Sequence, residues 1–165
     1  MIIAVTGHRP DSLKWGYDLR SEKWQYLYDI LFKYLVVNKT THCITGMALG
    51  VDTVFAFAAL NYKKQFQNDN IMVECAIPCK QQEKLWSEKD QKHYNYILEH
   101  ADKVTYVTNG LYKPSVMQKR NIYMVDKCDR LMAVWNGKKS GGTYNCIEYA
   151  KSVNKFIWRI DPSSI

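Results

Sequence analysis

The residues of this chain that could form a ligand-binding site are glycines placed between short apolar runs and helix-like segments. The clearest stretch is Thr45-Gly46-Met47-Ala48-Leu49-Gly50-Val51-Asp52, which follows the apolar run His42–Thr45 and opens an alanine-rich segment. A helix that begins in this way leaves backbone N–H groups without partners, and the peptide dipoles place about half a positive charge there. Glycine lets a ligand approach the main chain closely. The stretch therefore favours a phosphate-binding turn, with an ordinary strand-to-helix turn as the alternative.

Two further glycine-containing loops follow predicted strands. Gly7-His8-Arg9-Pro10 comes after the apolar run Ile2–Thr6, and Ser140-Gly141-Gly142-Thr143 precedes the last predicted helix. Arg9 could contact an anion or lie in solvent, and His8 could stack on a base or pack under its loop. Thr143 is placed to cap the helix that follows, and its hydroxyl could also donate to a phosphate.

Arg120 and Asp52 are charged residues on segments otherwise patterned for a core. The guanidinium of Arg120 could bind a phosphate or carboxylate in a bidentate manner, or could pair with an acidic neighbour such as Asp129. Asp52 could cap the helix that it opens, or accept a ribose hydroxyl as acidic residues do in dinucleotide sites. Three other carboxylates are expected to be ordinary surface charges: Glu74, Asp102 and Glu148.

Predicted strands that alternate with predicted helices must position these loops. Apolar runs predict strands over Ile2–Thr6, His42–Thr45, Ile71–Ile77, Lys103–Val107, Arg130–Trp135 and Phe156–Ile160. Helical spacing predicts helices over Ser21–Val37, Val51–Phe66, Gln81–His100, Ser115–Lys127 and Thr143–Val153, with a loop over Asp11–Leu19 because Pro10 delays a helix. The alternation predicts an α/β fold: a Rossmann-like, doubly wound, mostly parallel sheet with helices on both faces. In such a sheet the glycine loops lie beyond the carboxyl ends of the strands.

The composition limits the classes of protein to which the chain can belong. A chain of 165 residues, 47% of them hydrophobic, is expected to form one domain over residues 1–165. The N-terminus lacks a basic signal region and no apolar run approaches the ~18 residues of a membrane span, so a cytoplasmic protein without membrane contact is expected. Five scattered cysteines are typical of buried thiols, and neither a metal site nor a cofactor is expected. The net charge of +7 favours anionic partners, although the lysines do not cluster.

The loops resemble those of the SLOG superfamily, the Rossmann-like group that contains the DNA-processing A proteins, the YpsA-like (DUF1273) proteins and the LOG cytokinin-activating hydrolases. Thr6-Gly7-His8-Arg9-Pro10 is similar to the opening motif of the YpsA-like branch, and Thr45–Asp52 to the S-G-x-A-x-G-I-D loop of the DNA-processing proteins. Gly141-Gly142-Thr143 resembles the second glycine loop of the superfamily. The M-x-x-R-x-x-x-M-x-x-x-x-D spacing of the LOG branch is matched by Met117, Arg120, Met124 and Asp129. The resemblance implies a nucleotide-like ligand bound between the glycine loops.

One departure argues against LOG-type hydrolysis of a nucleotide. The LOG motif P-G-G-x-G-T-x-x-E has its glutamate three residues after the threonine, where this chain has Cys146. Glu148 lies two residues further on and points about 200° away, at roughly 100° per helical residue. The proline before the glycines is also absent, and Asn121 stands where the family has lysine or arginine. Arg120 and Glu148 are therefore weak catalytic candidates, and enzymatic activity is left open.

Two hypotheses of different classes follow. The first is a module that binds a nucleotide or nucleotide-derived ligand, as a sensor or a sequestering protein, with N-glycoside hydrolysis as a variant. The second is single-stranded nucleic-acid binding, which needs a basic groove with aromatic stacking platforms. Because the lysines are spread along the chain, the small ligand is favoured. Related proteins pair through helices, so the resemblance also implies a homodimer, for which the aromatic-rich helix Ser21–Val37 could serve.

Overall fold

The computed structural model describes residues 1–67 and 70–165, and in them strands alternate with helices. The strands are β1 (Ile2–Gly7), β2 (His42–Thr45), β3 (Met72–Ile77), β4 (Lys103–Tyr106), β5 (Arg130–Val134) and β6 (Phe156–Ile160). The helices are α1 (Pro10–Leu13), α2 (Glu22–Val37), α3 (Val51–Phe66), α4 (Glu88–His100), α5 (Val116–Lys127) and α6 (Gly142–Ser152), with a 3-10 turn at Pro162–Ser164. The predicted order of strands and long helices is confirmed.

In the described residues the strands form one sheet in the order β4-β3-β2-β1-β5-β6, and all neighbouring pairs are parallel. The chain moves outward from β1 to β4 and then returns to the other side of β1 for β5 and β6. The direction of winding therefore reverses between β1 and β5. Loops that leave such a pair of strands diverge and form a crevice. The predicted Rossmann-like, doubly wound arrangement is confirmed.

Side chains alternate along the strands between two apolar layers. Ile3 and Val5 of β1 pack with buried residues of α2 and α3. Ala4, between them, faces the other side of the sheet and packs in the layer that contains Met124 of α5 and Cys146 of α6. Successive strand residues point to opposite faces, so a strand buried on both faces becomes a continuous apolar run. The prediction of helices on both faces is confirmed.

Two predictions about local structure are wrong. Pro10 does not delay a helix, because it occupies the first position of α1, where its missing N–H removes no hydrogen bond. The helix predicted over Gln81–His100 begins only at Glu88. The Ser87 side chain accepts the N–H of Asp90 and caps α4 at that point. Residues 80–86 form turns and a bend instead of helix.

The prediction that Glu74 is a surface charge is also wrong, because Glu74 is wholly buried. Its carboxylate accepts hydrogen bonds from the hydroxyls of Thr105 at 2.8 Å and Tyr123 at 2.5 Å. It also lies 2.8 Å from Nε2 of His42 and 3.3 Å from Nζ of Lys103. Burial alone would raise the pKa of Glu74, but the hydrogen bonds that surround it hold the pKa well below its usual value. The ionised carboxylate therefore joins β2, β3, β4 and α5.

No helix in the described residues is long and apolar enough to cross a membrane. Over the same residues, His, Cys, Asp and Glu side chains form no group of three or more that could hold a metal ion. The five cysteines are free and buried.

Candidate functional site

A cleft of about 430 Å³ opens where the loops after β1 and β5 diverge. Its walls come from the loop after β1, the start of α3, the start of α5 and the loop that leads into α6. The lining residues are Thr6, Gly7, His8, Arg9, Ser12, Ala48, Asp52, Tyr112, Pro114, Met117, Gln118, Arg120, Asn121, Lys138, Ser140, Gly141, Gly142, Thr143 and Asn145. The cleft lies at the position where doubly wound sheets bind their ligands.

The fold brings most of the predicted ligand-binding residues to this cleft. Those that line it are Gly7, His8, Arg9, Ala48, Asp52, Arg120, Ser140, Gly141, Gly142 and Thr143. The others lie at the end of β2 or in the turn that leads to α3 and are not part of the described lining: Thr45, Gly46, Met47 and Gly50. The three glycine loops thus meet at one edge of the sheet, but they contribute unequally to the surface of the cleft.

The start of α6 is open to the cleft. Gly141 is its N-cap with a φ of 89°, a conformation that favours glycine, and no side chain among the described residues caps the helix. Apart from its chain neighbours and the backbone of its own helix, a Cβ atom added to Gly141 or Gly142 would meet no described atom within 4 Å. The first N–H groups of the helix have no intrahelical partner, so they are available to an anion in the cleft. Thr143, expected to be the cap, is instead the second residue of the helix.

The start of α3 is covered by protein. Gly50 is the N-cap with a φ of 90°, and a Cβ atom there would lie 2.9 Å from Cδ of Pro10 and 3.1 Å from the ring of Trp24. A Cβ atom at Gly46 would overlap the guanidinium of Arg120. The glycines of this turn therefore make room for other parts of the protein.

Arg120 is buried against the α3 turn. Its Nη1 donates to the carbonyl oxygen of Gly46 at 2.5 Å and lies 3.6 Å from Oδ2 of Asp52. Asp52 does not cap α3, because the same Oδ2 accepts the N–H of Ala48 at 3.2 Å. Burial raises the pKa of Asp52, and the charge of Arg120 opposes that change. The alternative partner Asp129 accepts a backbone N–H of β1 instead.

One buried donor of Arg120 has no partner among the described residues. Its Nε is buried and has no hydrogen-bond partner within the described part of the chain. Because the Arg120 side chain lines the cleft, this N–H is a candidate contact for a bound anion.

Two unpaired cations also line the cleft. Arg9 and Lys138 have no carboxylate within 4 Å among the residues that the structure describes. His8 is buried beside them, with Nε2 2.9 Å from Oδ1 of Asn136. Burial lowers the pKa of His8 and the nearby charge of Lys138 lowers it further, while the hydrogen bond that the ring donates to Oδ1 of Asn136 opposes this change. At neutral pH the positive potential therefore comes from Arg9, Lys138 and the α6 dipole.

The catalytic candidate Glu148 lies outside the described lining of the cleft. As expected, it is a surface charge, and Nζ of Lys151 donates to its Oε1 at 2.8 Å. Cys146, at the position of the LOG glutamate, is wholly buried, and burial raises the pKa of its thiol to about 12. Within the described residues, Asp52 is the carboxylate that lines the cleft, and Arg120 neutralises it.

Sequence reasoning missed several polar residues that the fold brings to the cleft: Ser12, Tyr112, Gln118, Asn121 and Asn145. Asn121 was noted as a departure from a motif and not as a site residue. Its Nδ2 donates to the carbonyl oxygen of Gly142 at 3.3 Å and connects α5 to α6. A signal for it exists, because Met117, Arg120 and Asn121 fall at i, i+3 and i+4 and share one helix face.

Comparisons with known proteins identify one family model and several relatives. The model of the YspA SLOG family matches residues 3–165. The SPbeta prophage-derived protein YoqJ of Bacillus subtilis is 35% identical, over 72% of this chain and 75% of its own length. A UPF0398 protein of Bacillus cereus is 28% identical, over 57% of this chain and 52% of its own length.

Two solved structures share the fold. DNA processing protein A (DprA) from Streptococcus pneumoniae has a TM-score of 0.60 at 15% identity, over 97% of this chain and 50% of that chain. DNA processing protein A from Helicobacter pylori, whose structure concerns its single-stranded DNA binding mode, has a TM-score of 0.63 at 18% identity, over 98% and 65%. This chain therefore spans about half the length of the UPF0398 protein and of the pneumococcal protein.

Proposed function

The chain belongs to the YspA SLOG family, and from this membership and the geometry of the cleft we propose that it binds a nucleotide or nucleotide-derived ligand, as a sensor or a sequestering module. The observation that carries the proposal is the open start of α6 beside unpaired cations. Gly141 and Gly142 leave space above the free N–H groups of the helix, and Arg9 and Lys138 line the same cleft. A phosphate group is the ligand that this combination favours.

Polar groups around the phosphate position suit a nucleoside. Oδ1 of Asn121 is buried and has no partner among the described residues, so it can accept a hydrogen bond from a ligand hydroxyl or amine. Gln118, Ser140 and Asn145 add further donors and acceptors to the lining. The volume of about 430 Å³ falls within the range of small-molecule sites.

The charges of the cleft favour binding over hydrolysis. N-glycoside hydrolysis needs a carboxylate that can activate water or stabilise a cationic sugar. Asp52 is engaged by Arg120 and by the N–H of Ala48, and Glu148 lies outside the lining. The proposal is therefore a module that holds its ligand without turnover.

Calorimetric titration tests the proposal. The probes are the four ribonucleoside 5′-monophosphates and ADP-ribose, added to the wild-type protein and to Lys138→Glu. At least one probe should bind the wild type, and charge reversal in the cleft should weaken that binding about tenfold, which corresponds to about 1.4 kcal/mol.

A matched control for Lys138→Glu is Lys33→Glu, since Lys33 is an exposed lysine on α2. It should leave the affinity unchanged. Absence of binding by every probe, or an equal loss in the control, would contradict the proposal.

A second candidate is single-stranded nucleic-acid binding. The net charge of +7 and the fold shared with DNA processing protein A from H. pylori favour it. Fluorescence anisotropy with a single-stranded oligonucleotide at several salt concentrations distinguishes the two. Strand binding should weaken steeply with salt, whereas a single phosphate contact gives a shallow dependence.

Two other expectations stay predictions: a cytoplasmic location and a homodimer. Sedimentation equilibrium tests the dimer, because a pair of these chains has twice the 19.3 kDa mass of one. A mass that stays at one chain over the concentration range would rule the dimer out.

A further inference from the structure

A second groove of about 650 Å³ adjoins the cleft. It lies between the turns at residues 79–86, which follow β3, and the loop that precedes α5. Arg9, Tyr112 and Met117 line both the groove and the cleft, so the two cavities meet at these side chains. A ligand that is longer than the cleft can therefore extend into the groove.

The groove is basic. Its described lining contains Arg9, Lys80 and Lys84 and no acidic residue. Across the described chain, none of the three has a carboxylate within 4 Å. Unpaired cations along a groove attract a linear anion such as a phosphodiester backbone.

The groove also presents exposed flat and apolar side chains. Trp86 is half-buried and is held by Tyr94, whose ring stands edge-on to the indole with centroids 5.4 Å apart. Tyr112 is 65% exposed and Leu85 is 93% exposed. Aromatic rings next to unpaired cations form the surface on which nucleobases stack.

Gln82 joins the groove to the turn before α3. Its Nε2 donates to the carbonyl oxygen of Met47 at 3.1 Å, in the turn before α3. Its Oε1 is buried and has no partner among the described residues, so it is free to accept a hydrogen bond from a base.

We propose that this groove holds the second nucleotide unit of a ligand whose first phosphate lies at the start of α6. The inference rests on the proposed function, because the cleft must hold the first unit. The ligand is then two or more nucleotides joined by phosphate, with the linking phosphate near Arg9, the cation that both cavities share. A free dinucleotide and a single strand have this chemistry in common.

Calorimetry with three probes tests the inference: thymidine 5′-monophosphate, its 5′-phosphorylated dinucleotide, and a twelve-nucleotide oligothymidylate. The dinucleotide should bind the wild type about tenfold more tightly than the monophosphate, because one more base stacks. The double variant Lys80→Glu/Lys84→Glu should lose this gain and keep the affinity for the monophosphate. Trp86→Ala should likewise lose the tighter binding of the dinucleotide and keep the affinity for the monophosphate. If the tryptophan change impairs folding, the double lysine variant still tests the inference.

The matched control is Lys33→Glu/Lys39→Glu, which reverses two exposed lysines on and just after α2. It should retain the full gain. With the oligothymidylate, reversing both groove lysines should lower the salt slope by about 1.4, at about 0.7 per phosphate contact of a single strand.

The outcomes separate this inference from the proposed function. If the monophosphate binds and the second nucleotide adds nothing, or if the control loses the gain equally, the groove is not a nucleotide site and the proposed function stands. If none of the three thymidine probes binds, the inference fails, and the proposed function is decided separately by the titration with ribonucleoside monophosphates and ADP-ribose. When the gain is present, tighter binding of the twelve-nucleotide probe identifies a strand, and equal binding identifies a free dinucleotide.

Discussion

The starts of α3 and α6 lie at the same edge of the sheet, and each begins after a glycine with positive φ. At α3 the space above the glycines is occupied by Pro10, Trp24 and Arg120, whereas at α6 no described side chain or distant backbone atom lies within 4 Å of an added Cβ atom. Glycine before a helix therefore indicates a close approach to the backbone without saying what approaches. At α3 it is the protein itself, and at α6 we infer that it is a ligand.

The two helix starts also differ in charge. α3 carries Asp52 in its first turn, where a carboxylate is favourable to the helix dipole. α6 has no acidic residue in its first turn. The positive end of α3 is thus compensated inside the protein, and that of α6 is available to an anion.

Removal of the Arg120 side chain should change the stability of the α3 turn more than any other substitution considered. Arg120→Ala leaves Asp52 buried without its counter-charge and the Gly46 carbonyl without its donor. The free energy of unfolding should fall by about 3–5 kcal/mol, the usual cost of removing one partner of a buried ion pair. Urea denaturation measures it. Arg20→Ala, at an exposed arginine, is the control and should show no measurable change. A loss below about 1 kcal/mol would mean that the α3 turn does not depend on Arg120.

A methyl group placed against the start of α3 should lower the free energy of unfolding, whereas one placed at the start of α6 should not. In Gly7→Ala the new Cβ would lie 2.6 Å from Cβ of Val51, the first residue of α3, and such overpacking costs about 1–3 kcal/mol. In Gly142→Ala the new Cβ meets open space, and the free energy of unfolding should stay within about 0.5 kcal/mol. Thermal or urea unfolding of both variants decides. Equal losses would remove the distinction between a filled and an open helix start.

Gly142→Ala should nevertheless weaken ligand binding. The methyl group occupies the space through which a phosphate approaches the N–H groups of α6, so affinity for a bound nucleotide should fall about tenfold, or about 1.4 kcal/mol. Calorimetry with the nucleotide that binds the wild type measures the change. Unchanged affinity would place the phosphate elsewhere in the cleft.

His8 should make stability depend on pH. Burial lowers its pKa in the folded protein, so between that value and about 6.5 the unfolded chain binds more protons than the folded one. The free energy of unfolding should therefore fall as the pH drops through this window. His8→Gln should lack that part of the fall, and a phosphate bound at α6 should reduce it, because an anion raises the pKa of a nearby histidine. Urea denaturation at several pH values measures the difference, and identical profiles for wild type and variant would contradict it.

Glu148→Ala should have the smallest effect. The side chain is exposed, pairs with Lys151 and lies outside the described lining of the cleft, so ligand affinity should not change measurably. Calorimetry checks the affinity, and an assay for released base checks hydrolysis. If the variant abolished a hydrolysis that the wild type performs, the assignment of Glu148 to the surface side of α6 would have to be abandoned.

The order of strands and helices could be read from the sequence because it depends on local patterns. Ile3, Ala4 and Val5 are apolar in succession, which is the pattern of a strand buried on both faces, and the helices show apolar residues at helical spacing. The glycine loop at Gly141 and Gly142 was also predictable, because strand, glycine pair and helix are neighbours in the chain. The start of α4 was misplaced because the capping hydrogen bond of Ser87 ended a pattern that looked helical from Gln81.

Contacts between residues that are far apart in the chain were determined only by the tertiary structure. Arg120 reaches the Gly46 carbonyl across 74 positions, and that contact turns a predicted ligand turn into a packed one. Tyr123 meets Glu74 across 49 positions and makes a buried anchor of an expected surface charge. Hydrophobic periodicity and glycine chemistry act over a few residues, so they determined the sheet and its loops. Which loop is filled and which is open depends on side chains that only the folded chain brings together.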